Sequence, residues 1–168
     1  HLSIRRQRQM CIRDRAYNNR GSTLKAIGEF EDAIASFNSA IELRPNYAEA
    51  YSNLGNTLTA LNRYEDAIIE FDKAIKIQPD YPDVYCNLGE TLQNLGKLEE
   101  SHASFKKAIE LKPDFAKAML YLSELMDYMN NLNGSIYLLK KLLKIDADHY
   151  GLRAAVNVAI YLFLSDKI

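Results

Sequence analysis

A 34-residue period constrains this chain more than any other feature. Residues 45–78 and 79–112 align without a gap and share 14 identities, among them Pro, two Tyr, Asn-Leu-Gly, Thr-Leu, a Phe and Lys-Ala-Ile. A single closed core does not produce such a repeat. Each unit of this length has an apolar face that it cannot bury alone, so it must stack on its neighbours. The same register extends to a first unit at 16–44 and a divergent fourth at 113–146. Residues 150–168 read as the start of a fifth repeat that stops before its second half.

Within each unit, two apolar stripes at helical spacing flank a short break, predicting a helix A and a helix B. The break residue is Gly28, Asn62, Gly96 or Asn130 in successive units. Glycine and asparagine tolerate the left-handed conformation that closes a helix. Pro45, Pro79 and Pro113 end helix B, because proline has no donor and disfavours helix in the residue before it. Asn46, Asp80 and Asp114 then stand where an N-cap is needed, with Glu49 completing a capping-box variant beside Asn46. Small residues recur at fixed slots, Gly21, Gly55, Gly89 and Ser123 on helix A and Ala33, Ala67, Ser101 and Ser135 on helix B. Helices approach closely only where side chains are short. Leu24, Leu58, Leu92 and Met126, with Phe37, Phe71, Phe105 and Leu139, fill the space that remains.

At these residues the chain resembles the tetratricopeptide repeat family. The pattern is Tyr51, Leu54-Gly55, Leu58, Ala67, Phe71, Ala74 and Pro79, repeated from Tyr85 to Pro113. The first unit departs at Arg20, and the fourth at Met119, Ser123, Leu142 and Ala147. The resemblance covers roughly residues 16–149. It implies an all-α fold, a right-handed superhelical solenoid of stacked antiparallel helix pairs, whose concave face is lined by helix A and binds peptides.

Residues 1–15 stand apart. They hold five of the 21 basic residues and one of the 22 acidic ones, so without them the net charge falls from −1 to −5. The run at 6–15 resembles translated sequencing-adaptor read-through; a disordered basic arm is the alternative. Either way, the only argument for nucleic-acid binding rests on this leader, and none is expected. Two cysteines, Cys11 and Cys86, form no disulfide framework, which fits a reducing, cytoplasmic setting. The longest apolar run, 158–164, falls well short of the roughly 18 residues a membrane span needs. No catalytic constellation, cofactor loop or metal cluster is expected. Cys86 has no histidine spaced to activate it. His102 and His149 sit at packing or surface slots. Glu65-Asp66 and Glu99-Glu100 belong to the first turn of helix B, where the helix dipole favours carboxylates.

The unpacked face of helix A is the candidate site. Its groove residues are Asn19, Ser22, Asn53, Asn56, Asn87, Glu90, Lys117, Tyr121 and Glu124, with Asn18, Ser52, Cys86 and Leu120 also placed inward. Asn19, Asn53 and Asn87 share one slot. An amide offers donor and acceptor together, as an extended peptide backbone requires. This ladder resembles the asparagine-lined superhelix of the O-linked N-acetylglucosamine transferases; bonding of these amides to neighbouring helices or water is the competing reading. Tetratricopeptide co-chaperones clamp a C-terminal carboxylate with asparagines and cations, but Ser52 and Tyr121 stand where two of those cations belong. Glu90, Glu124 and Asp127 favour a neutral or basic peptide instead. The expected function is a non-catalytic scaffold for a protein or peptide partner. The alternative is the substrate-recruiting arm of a larger glycosyltransferase-like or sulfotransferase-like enzyme. Residues 154–164 are apolar on almost every side, which predicts either further protein beyond 168 or a homodimer burying that helix.

Overall fold

The computed structural model describes residues 2–145 and 149–165, with side chains left out of that description at 2–9, 149, 152, 159, 160 and 162–165. Among the described residues there are nine α-helices and no strand. They are α1 (Leu2–Ala26), α2 (Phe30–Leu43), α3 (Ala48–Ala60), α4 (Tyr64–Ile77), α5 (Pro82–Asn94), α6 (Leu98–Leu111), α7 (Ala116–Tyr128), α8 (Leu132–Ile145) and α9 (His149–Ser165). Odd-numbered helices are the A helices and even-numbered ones the B helices, packed as sequential antiparallel pairs.

The first four A helices end as the break residues predict. Gly28, Asn62, Gly96 and Asn130 have φ of +84°, +59°, +79° and +59°. The N–H groups that follow close back onto the helix, from Glu29 to the Leu24 carbonyl, Arg63 to Leu58, Lys97 to Leu92 and Asn131 to Met126, at 2.8–2.9 Å. A second bond runs from each break residue to the carbonyl three before it, at 3.0–3.1 Å. This pair of bonds is the Schellman motif, and it satisfies carbonyls that the helix end leaves without partners. Left-handed backbone costs an ordinary L-residue about 1–2 kcal/mol, which asparagine partly escapes and glycine avoids. Asn130→Ala is therefore expected to lose about 1 kcal/mol of stability and Asn130→Gly none, read as urea midpoints at constant slope.

The turns from helix B to the next helix A differ from expectation. Asn46 and Asp114 are not N-caps. They lie inside turns closed by Tyr47 N–H to the Arg44 carbonyl (3.1 Å) and Phe115 N–H to the Lys112 carbonyl (3.0 Å). The cap positions fall one residue later, on Tyr47 and Phe115, and neither makes a side-chain capping bond. Proline's fixed φ places Pro45-Asn46 and Pro113-Asp114 at the centre of a turn, which delays the helix by a residue. Asp80 is likewise displaced, since α5 begins at Pro82. The aromatic side chains at the true cap positions lie under cations: the Arg44 guanidinium is 4.6 Å from the Tyr47 ring and the Lys112 ammonium 5.1 Å from Phe115.

The core follows the small and large slots. Phe37, Phe71 and Phe105 are fully buried. A Cβ added at Gly21, Gly55 or Gly89 would stand only 2.6, 2.7 or 2.8 Å from the facing ring. Ser101 donates a buried 2.7 Å hydrogen bond to the Gly89 carbonyl, tying α6 to α5 at that contact. The fourth repeat redistributes the same volume, with Ser123 on the A helix and Leu139 on the B helix, both fully buried.

The chain divides into two compact units, His1–Val84 and Tyr85–Ile168. In the first, α1 pairs with α2, α3 pairs with α4, and α2 packs on α3. The helix holding the first repeat's A segment runs back unbroken through residues 2–15, and Asp14 is buried within this unit. In the second, α6 packs on α7, α7 on α8, and α9 on both α7 and α8. α9 stands to α7 and α8 as α3 stands to α1 and α2, the place of a fifth helix A. Val156, in register with the buried Leu54, Leu88 and Leu122, is 52% exposed on its open face. The junction at 146–148 and the His149 side chain lie outside the described residues, as do most side chains of the apolar stretch 159–164.

Candidate functional site

In the first unit, α1 and α3 lie side by side and are joined by a short polar chain. Asn18 Nδ2 donates to Glu49 Oε1 and Asn53 Nδ2 donates to Asn18 Oδ1, each at 3.0 Å. Asn18 is buried between the helices, whereas Asn19, one residue on, is exposed. Ser22 is also exposed, and its hydroxyl is turned back onto the Asn18 carbonyl at 3.1 Å. Asn56 is half-buried. Beside them opens a cleft of about 590 Å³, lined by Asn19, Arg44, Asn46, Tyr47 and Glu49 together with Arg15 of the leader. Burial, then the Glu49 carboxylate, raises the phenols of Tyr47 and Tyr81 above the ordinary tyrosine range.

In the second unit, α5, α7 and α9 carry a network of opposite charges. Lys117 Nζ donates to Asn87 Oδ1 at 3.2 Å, pairs with Glu90 at 3.3 Å and lies 5.4 Å from the centre of the Tyr121 ring. Burial opposes the lysine's charge, yet the Cys86 thiol and the Glu90 carboxylate beside it hold the ammonium above its usual value. Tyr121 leans on the core ring of Phe105, with centroids 5.9 Å apart. Further along, Arg153 of α9 pairs with Glu124 of α7 at 2.7 Å. Burial raises the Glu124 carboxyl, Arg153 pulls it back and Asp127 adds to the rise. The Tyr161 hydroxyl donates to Asp127, and burial with that bond pushes the phenol up to about 12.

The nine expected site residues thus separate by environment. Asn53 and Asn87 each spend one pole of the amide on a neighbouring A helix, while Lys117 links Glu90 and Tyr121 and Glu124 pairs separately with Arg153. Asn18, Ser52, Cys86 and Leu120, placed inward from the sequence, are instead buried. They occupy one register, a single residue before Asn19, Asn53, Asn87 and Tyr121. About 100° of helix rotation separates the two sets, so the first faces the neighbouring repeat. Arg153 and Tyr161 were not anticipated. Their signal was a cation and a phenol about one period after Glu124 and Asp127. Glu90 and Glu124, two of the three carboxylates behind the expectation of a neutral or basic peptide, already have cations in these pairings. Among the described residues no group of His, Cys, Asp and Glu is placed to hold a metal ion, and no helix is long and apolar enough to cross a membrane.

Sequential antiparallel hairpins in a 34-residue register, each closed on a glycine or serine facing a buried large residue, define a helical repeat array. The chain belongs to the tetratricopeptide repeat family: a TPR repeat model matches residues 21–60 and 55–96, and a tetratricopeptide repeat model matches 82–115. Together the matches span more than half of the chain. No curated protein sequence matches it. Among solved structures it is similar to PilF of Pseudomonas aeruginosa, at 20% identity and TM-score 0.86 over 95% of this chain and 72% of that one. It is similar to MamA of Desulfovibrio magneticus RS-1, at 20% and 0.72 over 79% and 75%. The first TPR domain of Spaghetti (RPAP3), bound to the HSP90 peptide SRMEEVD, matches at 19% and 0.68 over 70% and 94%. At these identities the likeness is one of fold. Tetratricopeptide repeats are generally protein–protein interaction modules.

Proposed function

We propose that this chain is a non-catalytic scaffold whose A-helix face binds an extended peptide segment of a protein partner. One observation carries the reading. Among the described residues Asn53 Oδ1 and Asn87 Nδ2 have no protein partner, and neither is among the buried polar atoms left unsatisfied, which leaves both open to solvent. An extended backbone presents both hydrogen-bond poles and suits such a surface whatever its side chains. The peptide-bound RPAP3 domain supports the general mode, although its acidic ligand does not transfer. Here Ser52 is buried and Tyr121 stands at another cation slot of a carboxylate clamp. With Glu90 and Glu124 neutralised internally, an uncharged segment fits best.

The test is a peptide-array screen of the wild type against Asn53→Ala/Asn87→Ala. Two lost hydrogen bonds are expected to weaken captured peptides by about tenfold or more. Undiminished binding by the double variant would remove the amides from the mechanism.

A further inference from the structure

Asn53 and Asn87 occupy the same slot of successive repeats, yet the orientation of each amide is dictated by a different neighbour. Glu49 is acceptor-only when ionised, so the Asn18 group facing it, at 3.0 Å, must be its NH2. That leaves the Asn18 oxygen towards Asn53, which must answer with its own NH2, also at 3.0 Å. Among the described residues the Asn53 oxygen is therefore the pole left without a protein partner. A lysine ammonium is donor-only, so Lys117 at 3.2 Å must face the Asn87 oxygen, and the Asn87 NH2 is left over. Reversing either amide would set like poles against each other and break the contact.

We infer that Glu49, acting through Asn18, and Lys117, acting directly, are positioning residues that give the two amides opposite polarity towards a ligand. Asn53 presents an acceptor for a backbone N–H. Asn87 presents a donor for a backbone carbonyl. This rests on the peptide-binding reading and sharpens it, since each amide, taken within its own unit, then offers a peptide backbone one pole instead of either. A free asparagine could turn over to suit any ligand group. These cannot without losing Glu49 or Lys117, so the pole that is wholly unspent, oxygen at Asn53 and NH2 at Asn87, is fixed. Lys117 is half-buried and its polar contacts go to the partly exposed Asn87 and Glu90 of α5, not to the core cluster around Phe105, so replacing it leaves that core in place.

The test follows side-chain amide resonances of the 168-residue chain by 1H–15N NMR. Spectra are recorded free and during titration with an N-acetylated, C-amidated peptide of alternating Ser and Ala. Lys117→Met is expected to move the Asn87 side-chain signals in the free protein and leave those of Asn53 in place. It should weaken the peptide about 3–10-fold, the worth of one net hydrogen bond, and add nothing to the loss caused by Asn87→Ala. Lys117→Arg, which keeps a donor, should retain both the signals and the affinity. Asn87 signals that coincide in Lys117→Met and wild type, or losses from Lys117→Met and Asn87→Ala that add in full, overturn the inference while the peptide reading stands. If Asn53→Ala and Asn87→Ala both bind like wild type, the peptide reading fails. The free-protein spectra then decide the orientation alone, movement of the Asn87 signals supporting it and coincidence refuting it.

Discussion

Phe105→Ala is expected to lower the unfolding free energy by about 3–5 kcal/mol. The ring is fully buried and lies directly on Gly89, where no side chain can move in to fill the vacated space. It also anchors a cluster of Cys86, Ala108, Ala118, Leu122 and Leu125, so its removal opens a cavity shared by α5, α6 and α7. The consequence reaches the site, because Tyr121 rests on this ring and Lys117 rests over Tyr121. Urea unfolding followed by far-UV circular dichroism measures the loss. A change below about 1 kcal/mol would mean that the helix pair collapses around the hole, contrary to the rigid contact seen at Gly89.

Gly55→Leu acts on the same joint from the other side. Its first added carbon would stand 2.7 Å from the Phe71 ring, closer than real Cβ atoms approach a neighbour. Three further carbons then have nowhere to go between α3 and α4. Overpacking of this kind costs about 1–3 kcal/mol, and the full burial of Phe71 places this variant at the upper end. The fourth repeat supplies a control, since it carries Ser123 and Leu139 at the equivalent positions with both side chains buried. Gly55→Ser alone should destabilise, and adding Phe71→Leu should recover most of the loss, a non-additivity expected of residues in direct contact. A melting midpoint unchanged by Gly55→Leu would sink the packing argument outright.

Much of this architecture is legible in the sequence because it depends on single residues with narrow physical roles. A Gly or Asn at 28, 62, 96 and 130 is needed for the positive φ, and a small residue at 21, 55, 89 and 123 for the large one opposite. These are local requirements repeated four times. The helix starts near Asn46, Asp80 and Asp114 are less legible, because the proline turns and the capping sites compete for the same polar residues. The site was only partly legible, for a geometric reason. Whether Asn18 or Asn19 faces outward depends on one residue step around the helix, which periodicity alone locates too loosely. The pairing of Glu90 with Lys117 and of Glu124 with Arg153 joins separate repeats. A chain read one unit at a time shows such charges as unpaired and predicts a more acidic face than the fold presents.

The polar contacts described between neighbouring A helices bridge 27 to 35 positions of sequence, close to one period. Recombination between two copies of the unit therefore changes who meets whom without changing the manner of meeting. Excising residues 79–112 would place Lys117 one period after Asn53, the interval at which it now meets Asn87. Glu90 would be exchanged for Asn56 in the same stroke. Gene duplication and loss could rewrite the ligand preference of such an array one junction at a time, while the packing of each hairpin passes through the exchange intact.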